Sequence, residues 1–390
     1  MSKWPMVRLG DVCGFLNGGT PSKTEERYYS GTIPLITGAD ILANEVTSAR
    51  SFITQEAVNN SATNFVEKGT VLLVSRTGVG KVAIAGMDLC FSQDITAILP
   101  EESRLDKKYL CYFLKSKASY FKYWQRGATI QGITRDVIES VKIPLFPLSS
   151  QKRVAETLDN SQEIIDAHKK QLEELNNLIK ATFYRMFGEP TGHKWERVFI
   201  DEVYDIIDGD RGVNYPKQEE FSHEGHCVFL NAGNVTIDGF NFDKLQYISM
   251  EKDNQLRTGK LVRNDIVFTT RGTVGNIAYY DSSIPFGNMR INSGMVLLRQ
   301  KTGLLDPLFL CILFRTPKMI RYYNNFLSGT AQPQLPITNM RKIKIIKPPI
   351  VLQNKFAEIV TQIENQKSLV KQSLAESQNL FNSLMSRYFD

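Results

Sequence analysis

At 390 residues the chain is long enough for two or three domains, each with a core of its own. With 42% hydrophobic and 23% charged residues it has the make-up of a soluble globular protein, and no apolar run approaches the ~20 residues of a membrane span. The net charge of +6 comes from 17 basic against 14 acidic residues in 1–150 and 20 against 17 in 188–352, an excess that permits a polyanionic partner.

The N-terminus lacks the basic-then-apolar order of a secretion signal. Five scattered cysteines (13, 90, 111, 227, 311), with no CxxC pair, fit reduced thiols rather than a disulfide framework or a zinc site. A cytoplasmic protein is expected.

Along the chain, nearly everything is said twice. Lys3-Trp4-x-x-Val7-x-Leu9-x-x-Val12 returns as Lys194-Trp195-x-x-Val198-x-Ile200-x-x-Val203, and Val71–Ala83 returns as Ile266–Ala278 with Arg76 matching Arg271. Leu105-Asp106 and Cys111 return as Leu305-Asp306 and Cys311, and Gln151–Glu156 returns as Gln353–Glu358. A repeat of this length is a whole domain, far beyond the periods of solenoids or propellers.

Each repeat opens with a globular part, 1–147 and 191–349, rich in Gly and Pro. Short β-type runs are predicted at 70–75, 95–99, 266–270 and 295–298, then helical stretches at 105–123 and 305–324. Both parts close on an extended run with prolines, Ile143–Pro147 and Ile345–Pro349. A long segment free of Pro and Gly follows in each, within 148–190 and 350–390, with heptad stripes. The first stripe carries Leu158, Ile165, Leu172, Leu175 and Ile179; the second carries Val360, Ile363, Val370, Leu374 and Phe381. Ser161, Thr182, Lys367 and Ser377 interrupt them. The expected architecture is α+β: two mixed α/β domains separated by two long helices paired as an antiparallel coiled coil, with pseudo-twofold symmetry. The alternative is that each helix packs only on its own domain.

The search for catalytic chemistry comes back empty. Gly78-Val79-Gly80-Lys81 fails as a P-loop, because Ser75 stands where the first glycine belongs and Val82 where a hydroxyl must reach magnesium. A tight turn between strands explains it and its partner Thr273-Val274-Gly275-Asn276. His168 falls on the heptad seam, and His223-x-x-His226 has no copy in the first repeat. There is no GxSxG elbow and no HExxH.

What repeats is polar and loop-borne. Ser75-Arg76-Thr77-Gly78 matches Thr270-Arg271-Gly272-Thr273, Gln93 matches Asn292, and the segment Gly127-Ala128-Thr129-x-Gln131 matches Gly329-Thr330-x-Gln332-x-Gln334. Arg, Asn and Gln can bond base edges bidentately, although any one of them can equally cap a loop. Eight basic residues against two acids lie between 107 and 142, and seven against none between 315 and 347, including Lys342 and Lys344. Aromatics interleave with both, a pattern suited to phosphate contacts.

At this point the chain resembles the specificity subunit of type I restriction–modification systems over essentially its whole length. The carriers are Trp4-x-x-Val7-x-Leu9-x-Asp11-Val12, Gly18-Gly19-Thr20-Pro21-Ser22, Ile33–Ile36 before Asp40-Ile41, Ser75–Gly78, the Ile143–Pro147 exit and Gln151–Leu158, with the second round of these. The second round departs at Gly209-Asp210-Arg211-Gly212-Val213, which implies that two different half-sites are read.

The resemblance implies a non-catalytic subunit with two target-recognition domains, each reading one half of a split double-stranded DNA site. Thr20, Lys23, Arg211, Asn231 and Asn234 then join the loop residues above as candidate contacts. It further implies helices that space the domains and dock two modification (methyltransferase) subunits, joined by restriction subunits. S-adenosylmethionine would sit on the former, ATP and Mg2+ on the latter, and no cofactor on this chain. The competing readings are a self-sufficient methyltransferase or nuclease, against which the missing Asn/Asp-Pro-Pro-Tyr motif counts, and a coiled-coil scaffold without DNA recognition.

Overall fold

The computed structural model describes residues 4–125, 132–329 and 331–389. The chain forms two compact units, one of residues 1–169 with 372–390 and one of residues 170–371. Each unit holds the globular part of one repeat together with opposite ends of the two long helices.

In the first unit the main sheet runs in the order Cys13–Asn17, Ile95–Pro100, Val71–Val74, Val82–Ala85, Glu45–Val46. In the second unit Tyr204–Asp208, Met295–Gln300, Ile266–Thr269 and Ile277–Tyr279 repeat the first four strands in the same order. Val71–Val74 and Ile266–Thr269 are buried at every residue; the first is an unbroken apolar run, and the second is apolar up to Thr269, whose buried hydroxyl donates to the Thr273 carbonyl. A smaller sheet in each unit is built on a parallel pair, Ile33–Ile36 with Leu89–Phe91 and Cys227–Leu230 with Met289–Ile291. The Pro-bearing exit runs contain closing strands: Lys142–Pro144 pairs with Met6–Arg8, and Lys344–Ile346 with Arg197–Phe199.

The stretches 105–123 and 305–324, expected as single helices, are each two. Pro317 has no N–H to donate and pushes the preceding residue out of the helical region. Thr316 is accordingly extended at φ −69°, ψ 139°, and ends Pro307–Arg315 while capping Pro317–Asn324. In the first unit Lys117 makes the same break without a proline, between Lys107–Ser116 and Ala118–Tyr123.

Two repeated sequence signatures prove to be one clamp. Gln151 is fully buried; its Oε1 accepts from the Asp106 N–H at 2.9 Å, and its Nε2 donates to the carbonyls of Arg104 and Phe146. Gln353 does the same with the Asp306 N–H at 2.9 Å and the carbonyls of Leu304 and Pro348. The aspartates meanwhile cap the helices that follow them, Asp106 accepting from Lys108 and Tyr109 and Asp306 from Phe309. Each glutamine thus locks the start of a long helix to its own globular part. Gln353→Leu removes three hydrogen bonds, of which that to the Pro348 carbonyl is buried and the other two part-buried, and with ~1–3 kcal/mol for a buried group left unsatisfied the expected loss of stability is about 2–3 kcal/mol. A fall in urea midpoint at unchanged slope measures it; a loss below about 1 kcal/mol would show that the clamp is dispensable.

The long helices, Leu148–Phe187 and Ile350–Phe389, each run 40 residues. In the first unit Val154, Ala155 and Leu158 share a core with Phe389, and Phe381 and Leu384 pack against it. Further along the seam, His168 Nδ1 lies 3.5 Å from Ser377 Oγ. In the second unit Phe183 and Phe187 meet Phe356 at ring distances of 5.7 and 5.2 Å, with Ile179, Val360 and Ile363 in the same core. Low-numbered ends therefore meet high-numbered ends, and the helices pair antiparallel within each unit.

Each helix also packs on a globular part, and its far end does so on that of the other repeat: Phe389 against Tyr109, Phe183 against Phe309. Pairing and domain packing are not exclusive. Of the expected stripe, Leu158, Ile165, Ile179, Val360, Ile363 and Val370 are buried, while Leu172, Leu175, Leu374 and Phe381 are only half-buried. Lys367, expected to break the seam, is instead buried within it, its ammonium 2.8 Å from Glu364.

Candidate nucleic-acid interface

The main sheets deliver one loop twice. Beyond Val71–Val74, the N–H groups of Ser75 and Arg76 both donate to the Asp94 carbonyl, at 2.8 and 3.1 Å, and Arg76 bridges to Gly132. Beyond Ile266–Thr269, the N–H groups of Thr270 and Arg271 both donate to the Gly294 carbonyl, again at 2.8 and 3.1 Å, and Arg271 bridges to Gln334. The next turn needs left-handed backbone. Thr77 takes φ +44° where its counterpart Gly272 takes +71°, so the first unit holds a β-branched residue in a region that resists it. Gly80 and Gly275 close the turns at φ +93° and +98°; a side chain at Gly275 would run into the Tyr323 hydroxyl.

On this frame Arg76 and Arg271 are exposed, and neither guanidinium has a hydrogen bond or ion pair among the described residues. Their neighbours face the other way. Ser75 is 6% exposed and Thr270 3%, and both hydroxyls are held by the carbonyls that brace the loop. They set the loop rather than reach a ligand, which corrects their place among the candidate contacts.

Asn292 needs a second correction. It stands opposite Ser92, not Gln93: Ser92 Oγ accepts from the Asp94 N–H, and Asn292 Oδ1 from the Gly294 N–H at 2.9 Å. Gln93 is exposed with no side-chain hydrogen bond among the described residues. Gly132 occupies the place of Gln334 beside the arginine. Thr129 and Gln131 lie outside the described residues. Gln332 is exposed; Gln334 is half-buried, its backbone paired in both directions with Ser328.

Asn234 is 2% exposed, and its amide is fully engaged with the Asn231 N–H and the carbonyls of Asn241 and Lys244. It staples a loop and offers nothing outward. Asn231 Oδ1 likewise accepts from Gly233. Thr20, Lys23, Lys342 and Lys344 are exposed, and Lys344 lays its ammonium 4.7 Å over the Phe199 ring on the closing strand pair.

The second unit adds a feature that sequence reading missed. Asp210, 4% exposed, accepts from the backbone N–H groups of Gly212 and Arg257, both at 2.7 Å. Burial alone would raise its carboxyl, but these donors and the Arg257 guanidinium outweigh that and hold it below the usual carboxylate range. Arg211, fixed by Asp208 at 3.0 Å and the Ser293 carbonyl at 3.2 Å, lines a cleft of about 240 Å³ with Arg271, Gln334 and Thr338. The break in the Gly-Gly-Thr-Pro-Ser pattern at 209–213 was the available signal.

Among the described residues no group of three or more His, Cys, Asp or Glu could hold a metal, and no helix is long and apolar enough to cross a membrane. The five cysteines are free.

Residues 1–177 and 192–377 both match the model of the type I restriction modification DNA specificity domain. The chain belongs to this family. It is a DNA-specificity subunit of the type I restriction–modification kind, with two recognition domains in tandem. The type I restriction enzyme MjaIX specificity subunit of Methanocaldococcus jannaschii is 26% identical over 94% of this chain and 89% of its own. The EcoBI specificity subunit of Escherichia coli is 21% identical over 99% and 85%. In fold, the S subunit of the M. genitalium type I system aligns with a TM-score of 0.62 at 19% identity, covering 100% of this chain and 96% of that one. A chain from a structure of type I complex assembly and conformational transition aligns at 0.59, with 17% identity over 99% and 97%.

Proposed function

We propose that each recognition domain reads one half of a bipartite, asymmetric double-stranded DNA site, led by Arg76 in residues 1–147 and by Arg271 in residues 191–349. One observation carries this reading: the same braced loop presents an exposed, unengaged arginine in both units. A guanidinium held this way suits bidentate contact with guanine O6 and N7. The differing surroundings, Gly132 beside one arginine and Gln334 and Arg211 beside the other, support two different half-sites.

The helices, 148–190 and 350–390, space the domains and dock two modification subunits. Leu178 and Leu380 occupy the same position in the two repeats and are 49% and 56% exposed, which suits an apolar partner face. The chain contributes no catalytic group. S-adenosylmethionine belongs to the modification subunits, ATP and Mg2+ to restriction subunits, and the assembly works in the cytoplasm.

Exchanging residues 191–349 for the recognition domain of a relative tests this. Mapped genome-wide in a host that also carries the modification subunit, the methylated motif should change in one half only. A motif changed in both halves would refute the two-reader arrangement, and methyl transfer by the purified chain alone would refute the non-catalytic one.

A further inference from the structure

Val213 is 99% exposed, the most exposed large hydrophobic side chain among the described residues. An aliphatic side chain left wholly in water at the tip of a loose loop would mean little, but this loop is built. Asp210, buried, ties down the backbone of Gly212 and Arg257; the Tyr215 N–H closes a turn on the Gly212 carbonyl at 3.0 Å; and the Tyr215 ring packs edge-on against Phe229 at 5.7 Å. Asn214 Nδ2 donates to the Gln255 carbonyl at 3.3 Å. The tip is held from both sides, and Arg211, two residues away, lines the cleft that holds Arg271. Arg257, 74% exposed at its side chain, is fixed to the same loop.

We infer that Val213 reads the C5-methyl group of a thymine in the major groove of the second half-site. This rests on the proposal that the Arg271 face meets DNA. A rigid, apolar side chain between arginines has one partner of its own kind on a duplex edge, the thymine methyl. Wedging between base steps is the other use of an exposed apolar residue on DNA, and the wedges are Phe, Leu, Ile, Met and Pro, which act from the minor groove. Valine, with one stiff χ1 and no reach beyond Cγ, is suited to touching a methyl and unsuited to prising a step apart. The first unit has Gly18-Gly19-Thr20-Pro21-Ser22 in the corresponding stretch, with no exposed aliphatic tip, so the sensitivity belongs to one half-site only.

The test uses the assembled complex with its modification subunits and the duplex carrying its methylated motif. Each thymine of the second half-site is replaced in turn by deoxyuridine, which removes only the methyl. One replacement should weaken binding about fourfold, the worth of one buried methyl group. Val213→Ser should weaken the thymine duplex by a similar factor and bind the thymine and uracil duplexes equally. Val213, being on the surface, can be replaced without disturbing the fold. A second half-site without an A·T pair, a wild-type complex indifferent to every deoxyuridine, or a Val213→Ser complex that still discriminates would each overturn the inference. Arg271→Ala is measured in parallel: if it also leaves binding unchanged, the whole face is wrong, whereas a loss there beside indifference to uracil removes Val213 alone.

Discussion

Arg271→Ala lowers the affinity of the assembled complex for its target duplex by about five- to 150-fold, the range set by the ~1–3 kcal/mol that one bidentate base contact contributes to discrimination. Arg76→Ala does the same through the other half-site. Both guanidiniums are exposed and unengaged among the described residues, so alanine removes no internal bond and stability should hold. The losses should fall on specific binding. Against duplexes carrying single-base changes, each variant becomes indifferent to one position in its own half-site, while non-specific binding drops only by the contribution of a single charge. Lysine does not rescue, since its point charge cannot form the fork. Unchanged base discrimination in Arg271→Ala would show that the arginine serves the phosphate backbone alone.

The largest effect on folding is expected at a buried cluster peculiar to the second unit. Asp253 has a side chain 0% exposed, 2.5 Å from both Arg290 and Lys260, with His226 at 3.6 Å. Arg290 also donates to the carbonyls of Thr258, Asp253 and Leu256, which holds Met250–Gln255 and the loop after it against Met289–Ile291. Arg290 is fully satisfied only while Asp253 is present. Asp253→Ala leaves the buried guanidinium without its counter-ion, though still bonded to the three carbonyls, at a cost of about 3 kcal/mol, the low end of the range for breaking a buried pair. Hydrogen exchange in Cys227–Leu230 and Met289–Ile291 should then quicken by two orders of magnitude or more. Removing both charges together, as Asp253→Leu with Arg290→Met, should recover most of the loss, because the first unit fills the corresponding place with an apolar cluster of Tyr28, Leu35, Ile53, Ala57 and Cys90.

The same cluster sets a pH dependence. Burial would raise the Asp253 carboxyl, but the hydrogen bonds and charges of Lys260 and Arg290 outweigh it and hold the group below its ordinary value. A carboxyl depressed in the folded state stabilises fully above its unfolded value near pH ~3.9, and the contribution fades as pH falls through the folded one. Acid should therefore loosen the second unit's smaller sheet, and the doubly substituted variant should be spared that part of the loss. Equal acid sensitivity in both would place the effect elsewhere.

Much of the architecture was legible before any coordinates. Buried strands read as short, largely apolar β-type runs, so Val71–Val74 and Ile266–Thr269 announced themselves to within a residue. The closing strands were visible as Pro-bearing runs, and the long helices as heptad stripes without Pro or Gly. The interface was legible only in part. Arg76 and Arg271 were singled out because they recur at the end of matching strands, and the structure leaves both exposed. Ser75, Thr270 and Asn234 shared the same loops and composition, and nothing in their spacing said that they face inward.

By itself, then, the sequence determined the duplication, the main buried strands, the long helices and the two arginine loops, because periodicity, turn chemistry and repetition are local properties of the chain, while its motifs carried the resemblance to the family. Tertiary structure alone decided that Asn292 answers to Ser92, that Gln151 and Gln353 are clamps, that Asp210 braces an apolar tip, and that each long helix reaches the other repeat's core. The reason is physical. What a polar side chain does depends on which orphan backbone group lies within hydrogen-bond reach, and some of those groups come from far along the chain, as Thr270 with Gly294 and Gln353 with Leu304, 24 and 49 positions apart, show.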